Sequence, residues 1–504
     1  MGFSKEDEAI LNNHVTNIDK DIYAIYNLPP EVVAVLFAYV SRSPASFREN
    51  LLKLIKSKDI DMGEVVRLYR EKSVDYKEAK EKARKFHEQW VVGYGHSSVA
   101  EHAVASIAVE NVSILATKAI EDSRLASYTE KSTRYQIFEK GKYYKPLRLM
   151  NSQLGEEYRK TCDHLFMLYL EVMPKLLEHM KKRFPKTSEM TDAAYEAVTK
   201  ARACDVARHI LPASTLTNLA ITINARSLER MLTKLLSDQL DEMHDIGTGM
   251  KQEVLKIIPT LVKYADHNLY IAETNRSMEA LLSDFRGIET RRKEGQNVHL
   301  AEYDRDAENK ILASIIYRYT HEPYAAIIEK VRRMEDDEKQ RLFDEYMIRM
   351  GKHDHPMREL EHVYYTFDIL CDYGVFRDIQ RQRICTQTNQ TLTIANGYDV
   401  PKEIAEIGYE KEFRHAMELA ATAFEKIAVA FPKEAQYVIP LAFRKRTLFT
   451  WNLRELYHFV KLRSSKEGHI AYRKIAWDVY NEVKRVHPLL AKYMQVDFSE
   501  GPAR

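Results

Sequence analysis

The chain has 504 residues, of which 45% are hydrophobic and 30% are charged, and its formal net charge is +2. This length predicts two or more domains, and the balanced charge gives no reason to expect binding to nucleic acid or to a membrane. The four cysteines form no C-x-x-C pair, which argues against a disulfide framework or a cysteine metal site. The N-terminus has no secretory signal pattern, so we expect a cytoplasmic protein.

Long helices are predicted because only 16 glycines and 15 prolines interrupt the chain. In chain order, helical character is expected at residues 53–87, 156–183, 251–265, 326–347, 409–430 and 469–486. Short strands are expected at residues 104–109 and 363–367. Residues 286–299 are charged and contain glycine, which predicts a linker. The fold class that follows is α+β, rich in helix.

Four segments occur twice in the same order. The first set is GHSSVAEH (Gly95–His102), SRLASYTEKSTRY (Ser123–Tyr135), ARHILP (Ala207–Pro212) and INARSL (Ile223–Leu228). The second set is RELEH (Arg358–His362), RQRICTQTNQTLT (Arg381–Thr393), QYVIP (Gln436–Pro440) and WNLREL (Trp451–Leu456). A tandem duplication is the simplest cause. We therefore divide the chain into copy one (residues 1–285), the linker (286–299) and copy two (300–504).

A polar run in copy one has the residue types of a phosphate site. Ser127, Ser132 and Arg134 can surround a phosphate with charge-assisted hydrogen bonds. Glu130 would then meet a base or a ring N–H group rather than the phosphate. The alternative interpretation is a surface turn with local bonds from side chains to the backbone.

Copy two contributes further arginines. Arg381 and Arg383 flank Gln382, and in an extended stretch both would point the same way, toward a pyrophosphate or simply toward solvent. Arg463 follows Asn452 by roughly three helical turns, so both can face one site.

Other charged and titratable residues of the motifs have competing explanations. Arg208 of copy one has apolar neighbours in the sequence and needs a partner, either an internal carboxylate or a ligand. His96, Glu101 and His102 do not have the H-E-x-x-H spacing and have no evident third ligand, so we expect no metal and interpret His102 as a structural histidine.

These motifs together resemble the flavin-dependent thymidylate synthases. SRLASYTEKSTRY is similar to the family signature R-H-R-x-x-S-x-N-E-x-S-x-R-Y, and GHSSVAEH, ARHILP and INARSL resemble three further family elements in the family order. The resemblance implies two tandem domains, each a small, mostly antiparallel sheet packed with long helices. It also implies conversion of dUMP to dTMP with methylenetetrahydrofolate and NADPH, through FAD and without a cysteine nucleophile.

The resemblance also implies how the two copies share one site. Family members build the nucleotide site from two subunits, and each copy here matches a different half of it. The dUMP-binding positions implied are Glu130, Ser132, Arg134 and Arg208 in copy one, with Arg381 and Arg463 in copy two. Of these, Arg381, Arg463 and Ser132 are the implied catalytic residues. Copy one has Asp122 and Leu235 where copy two has the arginines, and copy two has Asn389, Thr391, Thr393 and Gln436 where copy one has Glu130, Ser132, Arg134 and Arg208. We therefore expect one composite site, in a homodimer that imitates the tetramer of the family.

The implied FAD-binding residues come from both copies. They are Arg381, Gln382, Arg383, Asn452, His458, Ser41, His96 and Ser98. Three departures from the family pattern are Gln382 for histidine, Thr129 for asparagine and Asp378 for glutamine. They leave two alternatives open: a catalytically inactive nucleotide- or flavin-binding regulatory protein, and a flavin-dependent methyltransferase with a different uracil-containing acceptor.

Overall fold

A computed structural model of the chain describes residues 3–39, 44–56, 97–258, 261–282 and 297–499. Two compact units are present. Unit 1 comprises Met1–Val112, Ala116–Lys131 and Thr217–Gly287, and unit 2 comprises Ser113–Leu115, Ser132–Leu216 and Ile288–Arg504. The units are a different division from the two sequence copies, because residues 132–216 of copy one belong to unit 2. The division into copies stays a prediction about the origin of the chain.

The secondary structure is mainly helical, with seven strands in the described residues. The strands are β1 (Val104–Ser113), β2 (Ala126–Glu130), β3 (Leu216–Asn224), β4 (Val298–Tyr303), β5 (Tyr364–Asp372), β6 (Cys385–Asn389) and β7 (Arg444–Asn452). The helices are α1 (Lys5–Leu11), α2 (Pro30–Tyr39), α3 (Phe47–Lys56), α4 (Ile114–Ile120), α5 (Leu147–Met150), α6 (Gly155–Arg183), α7 (Asp192–Ala207), α8 (Ala225–Leu236), α9 (Asp241–Val254), α10 (Leu269–Leu281), α11 (Ala307–Tyr319), α12 (Tyr324–Arg332), α13 (Asp336–Met347), α14 (Tyr373–Ile379), α15 (Lys402–Glu406), α16 (Glu410–Ala430), α17 (Leu453–Ser464), α18 (Ile470–Val486) and α19 (Pro488–Ala491).

Unit 1 contains a three-stranded sheet in the order β1-β3-β2. In β3, alternate residues Thr217, Leu219, Ile221 and Ile223 are buried, as the period of two of a half-buried strand requires. The helix α8 follows directly, and its apolar residues recur at helical spacing on one buried face. The predicted α+β architecture is confirmed for this part of the chain.

Unit 2 contains a four-stranded sheet in the order β4-β5-β7-β6, in which β4, β6 and β7 pair antiparallel with their neighbours. The strand β5 carries three fully buried aromatic or aliphatic side chains, and β7 contributes Phe449 and Trp451, whose rings stack 4.7 Å apart. The long helices α6 and α16, one from each sequence copy, pack against each other within this unit. The core of unit 2 therefore contains parts of both copies.

The strand registers repeat from one sheet to the other. Ala126 of β2 opposes Ile223 of β3, and Cys385 of β6 opposes Trp451 of β7. These are the same positions that the aligned motifs equate. β1 is one residue longer than β5, and its Asn111 has a φ of 55°. This left-handed conformation is typical of an extra residue inserted in a strand. The irregularity at Asn111 therefore accounts for the difference of one residue between β1 and β5.

The L-P segments of the two copies pair within unit 2. The N–H of Ala213 donates to the carbonyl of Ile439 at 2.8 Å, and the N–H of Leu441 donates to the carbonyl of Leu211 at 2.9 Å. The motif alignment exchanges these two bonds, so the pairing has local twofold pseudosymmetry. Pro212 and Pro440 form the bridge at its centre. This pairing brings the segment that carries Arg208 beside copy two.

Several predicted boundaries differ from the observed ones. The helix predicted at 251–265 is wrong, because α9 ends at Val254 and the chain continues in turns. The helix predicted at 326–347 is two helices, since Glu335 caps the start of α13. β4 includes Val298 and His299, the last two residues of the predicted linker. In the described residues, no helix combines the length and the apolar composition that crossing a bilayer requires.

Candidate functional site

The first component of the site is the segment that follows β2. Ser132 and Arg134 lie in unit 2, and the Oγ of Ser132 accepts a hydrogen bond from the backbone N–H of Arg134 at 3.1 Å. The Nε of Arg134 donates to both carboxylate oxygens of Asp205 at 2.9 Å. Asp205 lies in the last turn of α7 and is 4% exposed. The buried carboxylate therefore fixes the direction of a guanidinium that is itself partly exposed.

Arg208 follows α7 in a short 3-10 turn and is 2% exposed. Its guanidinium lies 3.3 Å from the carboxylate of Asp378 and 3.7 Å from that of Asp205. A Cβ added to Gly374 would lie 3.6 Å from the Nε of Arg208 and 3.0 Å from the Oδ1 of Asp372. A side chain at Gly374 would thus make an ordinary contact with Arg208 but a tight contact with Asp372.

Copy two contributes Arg381, which follows α14, and Arg463, which lies in the last turn of α17. Arg381 is exposed, whereas Arg463 is partly buried and its guanidinium carbon lies 5.5 Å from the centre of the Tyr472 ring. Burial lowers the pKa of Arg463 and raises the pKa of Tyr472, but neither shift removes the charge of the arginine near neutral pH.

Asp378 couples to all four of these arginines. Burial alone would raise the pKa of its carboxyl, but Arg208, Arg463, Arg381 and Arg134 lower that pKa to about 2, in decreasing order of effect. We define the arginine cluster as these four arginines together with Asp378 and Asp205. Two of the arginines come from copy one and two from copy two, and all six residues belong to unit 2.

The arginine cluster retains unused hydrogen-bonding capacity. Within the described part of the chain, the Nε atoms of Arg208 and Arg463 are buried and have no hydrogen-bond partner. A buried donor without a partner costs free energy, which an anion bound at the site would recover. Guanidinium groups with free donors are suited to phosphate oxygens, which they bind through charge-assisted hydrogen bonds.

A second buried ion pair lies beside the cluster. The Nδ1 of His209 is 3.0 Å from the carbonyl of Val206, and its Nε2 is 3.5 Å from the Oδ1 of Asp372. Burial opposes the charge on His209, but Asp372 raises the pKa of the imidazole above its ordinary value. Burial lowers the pKa of the neighbouring His469 to about 4, so that ring is neutral. The same Asp372 caps α14 by accepting from the N–H of Val375 at 2.8 Å.

The positions in copy two that correspond to Arg208, Glu130 and Arg134 of copy one have structural roles. The amide of Gln436, at the position of Arg208, accepts from the N–H of Leu392 at 3.2 Å and donates to the carbonyl of Lys433 at 3.1 Å. Asn389, at the position of Glu130, accepts from the hydroxyl of Thr447. Thr393, at the position of Arg134, accepts from the N–H of Ala395.

Copy one shows the reciprocal change. Leu235, at the position of Arg463, is 1% exposed and belongs to the apolar core of unit 1. Asp122, at the position of Arg381, forms an ion pair with Lys234. Positions that hold arginine in one copy are therefore occupied in the other by residues that serve the local fold.

The sequence profile of the family described as thymidylate synthase complementing protein matches residues 50–260 and 299–489. The chain belongs to this family. The two matched regions are consistent with the tandem duplication that the motifs predict. The match also confirms the predicted resemblance to flavin-dependent thymidylate synthases.

Two relatives match this chain over most of their length. The chain is 36% identical to a UPF0159 protein of Chlamydia muridarum over 99% of this chain and 96% of the relative. It is 30% identical to the UPF0159 protein Ta1429 of Thermoplasma acidophilum, over 83% of this chain and 89% of the relative.

Another relative matches a smaller part of the chain. The flavin-dependent thymidylate synthase of Sulfolobus acidocaldarius is 30% identical over 37% of this chain and 64% of its own length. A crystal structure of the Helicobacter pylori enzyme, with FAD and dUMP, superposes with a TM-score of 0.30 at 15% identity and covers 40% of this chain and 99% of that one.

The remaining residues that the family signature implies are distributed as follows. Glu130 is in unit 1, where its carboxylate accepts from Thr117 at 3.0 Å and pairs with Lys118 at 3.1 Å. Ser41 and His96 lie outside the described residues. The structure describes only the backbone of Ser98, which forms part of a 3-10 turn.

The copy-two residues implied in FAD binding lie in unit 2. Gln382 is buried and Arg383 is partly exposed. The Oδ1 of Asn452 accepts from the N–H of Glu455 at 2.8 Å and so caps α17, as Asn224 caps α8. His458 lies 5.8 Å from the ring of His355, and burial lowers its pKa. The persistence of asparagine in both copies thus has a structural explanation in helix capping.

The sequence motifs predicted an internal carboxylate as one possible partner of Arg208, but they did not identify Asp205 or Asp378 as that partner. Asp205 precedes Arg208 by one helical turn, a spacing that could have signalled an ion pair. Asp372 and His209 pair across the two copies, and no local pattern connects them. His469, which caps the start of α18, and Tyr472 of that helix follow Arg463 beyond the last motif.

Proposed function

We propose that this chain is an FAD-dependent thymidylate synthase that methylates dUMP to dTMP, with methylenetetrahydrofolate as the one-carbon donor and NADPH as the reductant. The observation that supports the proposal is the convergence of Arg134 and Arg208 of copy one with Arg381 and Arg463 of copy two around Asp378. These are the positions at which the family signature implies nucleotide binding. Belonging to the family adds support for the flavin.

The residues of the cluster would divide the work of binding. The buried Nε atoms of Arg208 and Arg463 have no hydrogen-bond partner in the described residues, although that of Arg208 lies 3.7 Å from Asp205. We assign both arginines to the phosphate of dUMP. Arg134 is held by Asp205 at 2.9 Å and can present its remaining N–H groups without losing much side-chain entropy. We assign Ser132 a supporting role, because its hydroxyl orients the backbone of Arg134.

The FAD would be held next to this cluster. Arg381 is exposed and Arg383 is partly exposed, and their charges suit the diphosphate of a dinucleotide. FAD, when bound, supplies the hydride-transfer chemistry, and the protein provides orientation and electrostatic stabilisation. A protein thiolate is not part of the proposal. Burial raises the pKa of Cys162 to about 12 and that of Cys204 to about 11, so both are neutral thiols near pH 7.

The proposal can be tested with the purified full chain. We expect a bound flavin spectrum that dUMP perturbs, and release of the uracil C5 hydrogen when NADPH and methylenetetrahydrofolate are added. Arg134→Ala and Arg463→Ala should each weaken dUMP binding by about tenfold or more, with non-additive effects in the double variant. Arg446→Ala, which removes an arginine paired with Asp368 outside the cluster, is the matched control. A colourless protein that takes up no FAD on reconstitution would refute the proposal.

One observation favours a second candidate, a nucleotide- or flavin-binding regulatory protein without catalytic activity. Asp378 places a carboxylate where substrate phosphate would be attracted, and it pairs with Arg208 at 3.3 Å. This candidate predicts perturbation of the flavin spectrum by dUMP with no release of the C5 hydrogen. A methyltransferase with another uracil-containing acceptor would instead release hydrogen from that acceptor, which the mass of the product identifies.

A further inference from the structure

Asp378 is the acidic residue of the cluster that comes from copy two, and it lies three residues before Arg381. Its carboxylate is 14% exposed, lies 3.3 Å from the guanidinium of Arg208 and is ionised at any physiological pH. The corresponding residue of copy one, by the motif alignment, is Ala119. The carboxylate therefore belongs only to the half that contributes Arg381 and Arg463.

Arg208 has a second carboxylate beside it besides Asp378. Asp205 already accepts both short bonds from Arg134 and lies 3.7 Å from Arg208. His209 and Asp372 neutralise each other, and His469 is uncharged. Tyr472 is a neutral phenol, because burial raises its pKa.

The six residues of the cluster therefore have a net charge among themselves. Its four guanidinium groups against the two carboxylates of Asp205 and Asp378 give two unbalanced positive charges. A neutral amide at position 378 would leave three. Because charges in a partly buried site interact strongly over a few ångströms, this difference changes the preferred charge of a bound anion.

We propose that Asp378 is a specificity-determining residue, which matches the arginine cluster to a ligand with two negative charges, a phosphate monoester, and disfavours ligands with a di- or triphosphate. The inference rests on the proposed function only in taking the cluster as the site of the substrate phosphate. A carboxylate also accepts hydrogen bonds but cannot donate them, so Asp378 repels additional phosphate oxygens at short range. The bound monoester uses the free donors of Arg208 and Arg463 instead.

The test compares inorganic phosphate with pyrophosphate, measured by calorimetry at pH 8 with and without added FAD. At this pH phosphate is mainly the dianion and pyrophosphate carries at least one further negative charge. We expect Asp378→Asn to tighten the binding of both anions, and to favour pyrophosphate over phosphate by a further factor of about ten. Asp378→Glu keeps the charge and should restore the wild-type preference.

Asp368→Asn is the matched control, because it removes a carboxylate from an arginine pair outside the cluster. It should leave the ratio of the two affinities unchanged. The proposal is overturned if Asp378→Asn leaves that ratio unchanged, if it weakens both anions while the thermal unfolding profile stays that of the wild type, or if neither protein binds either anion. If the ratio shifts as expected but dUMP and flavin do not bind, the charge selection stands and the proposed thymidylate synthase activity fails.

Discussion

Copy two has Gln436 at the position of Arg208. The substitution Arg208→Gln therefore gives copy one the residue that copy two has at this position. Arg208 is 2% exposed and pairs with Asp378 at 3.3 Å and with Asp205 at 3.7 Å. In Arg208→Gln, the shorter amide can reach local backbone groups, as Gln436 does with Leu392 and Lys433. It cannot supply a charge to the two carboxylates.

The magnitude follows from which partners remain. Removing one member of a buried ion pair costs about 3–5 kcal/mol when the other is left without compensation. Here Asp205 keeps Arg134 at 2.9 Å, and Asp378 keeps the attraction of the other arginines. We therefore expect the free energy of unfolding to fall by about 2 kcal/mol, below that range. The pKa of Asp378 should rise, because Arg208 is the arginine that lowers it most.

The effect on binding should be comparable in size with the effect on folding. One charge-assisted hydrogen bond contributes about 1.5–3 kcal/mol, so the affinity for dUMP should fall by about 10- to 150-fold. Calorimetric titration measures the affinity, and denaturant unfolding measures the stability. Arg446→Gln makes the same chemical change in a pair outside the cluster and should leave the affinity unaltered. If Arg208→Gln binds dUMP as the wild type does, the cluster is not the phosphate site.

Three further substitutions test the supporting structure. The pKa of His209 is raised in the folded state, so its pairing with Asp372 stabilises the fold fully below the ordinary histidine pKa, and this stabilisation is lost as the pH rises through the folded value. In His209→Gln, the free energy of unfolding measured against pH should therefore decline less steeply on the alkaline side. An unchanged slope would contradict this. Gly374→Ala places a methyl group 3.0 Å from the Oδ1 of Asp372, and we expect a loss of about 1 kcal/mol in stability together with weaker dUMP binding, measured by denaturant unfolding and titration; retained stability and affinity would show that α14 has room to shift. Asn452→Ala removes the cap of α17 and should cost about 1 kcal/mol in denaturant unfolding whether or not flavin is present; a loss seen only with flavin would indicate a cofactor contact instead.

The order and spacing of the motifs were sufficient to predict the duplication, the family and the α+β class, because each motif is short and local. The same alignment equates the strand registers, since Ala126 opposes Ile223 as Cys385 opposes Trp451. Periodicity predicted α6 and α16 to within a residue. It failed at 251–265, where α9 ends at Val254 and turns follow. A hydrophobic pattern does not show where a helix ends, because tertiary contacts decide which part of the segment is stable.

The sequence by itself determined which arginines survive in each copy, and hence that a complete set requires both. Only the tertiary structure decided what holds them. The antiparallel pairing of the two L-P segments brings Arg208 beside α14, and Asp378, Asp205 and Gly374 then set its surroundings. These contacts join residues far apart in the chain, and their energies depend on burial and distance, which no local pattern records. The pKa of Asp378 is low for that reason: the charges of four guanidinium groups from separate segments act on one carboxylate.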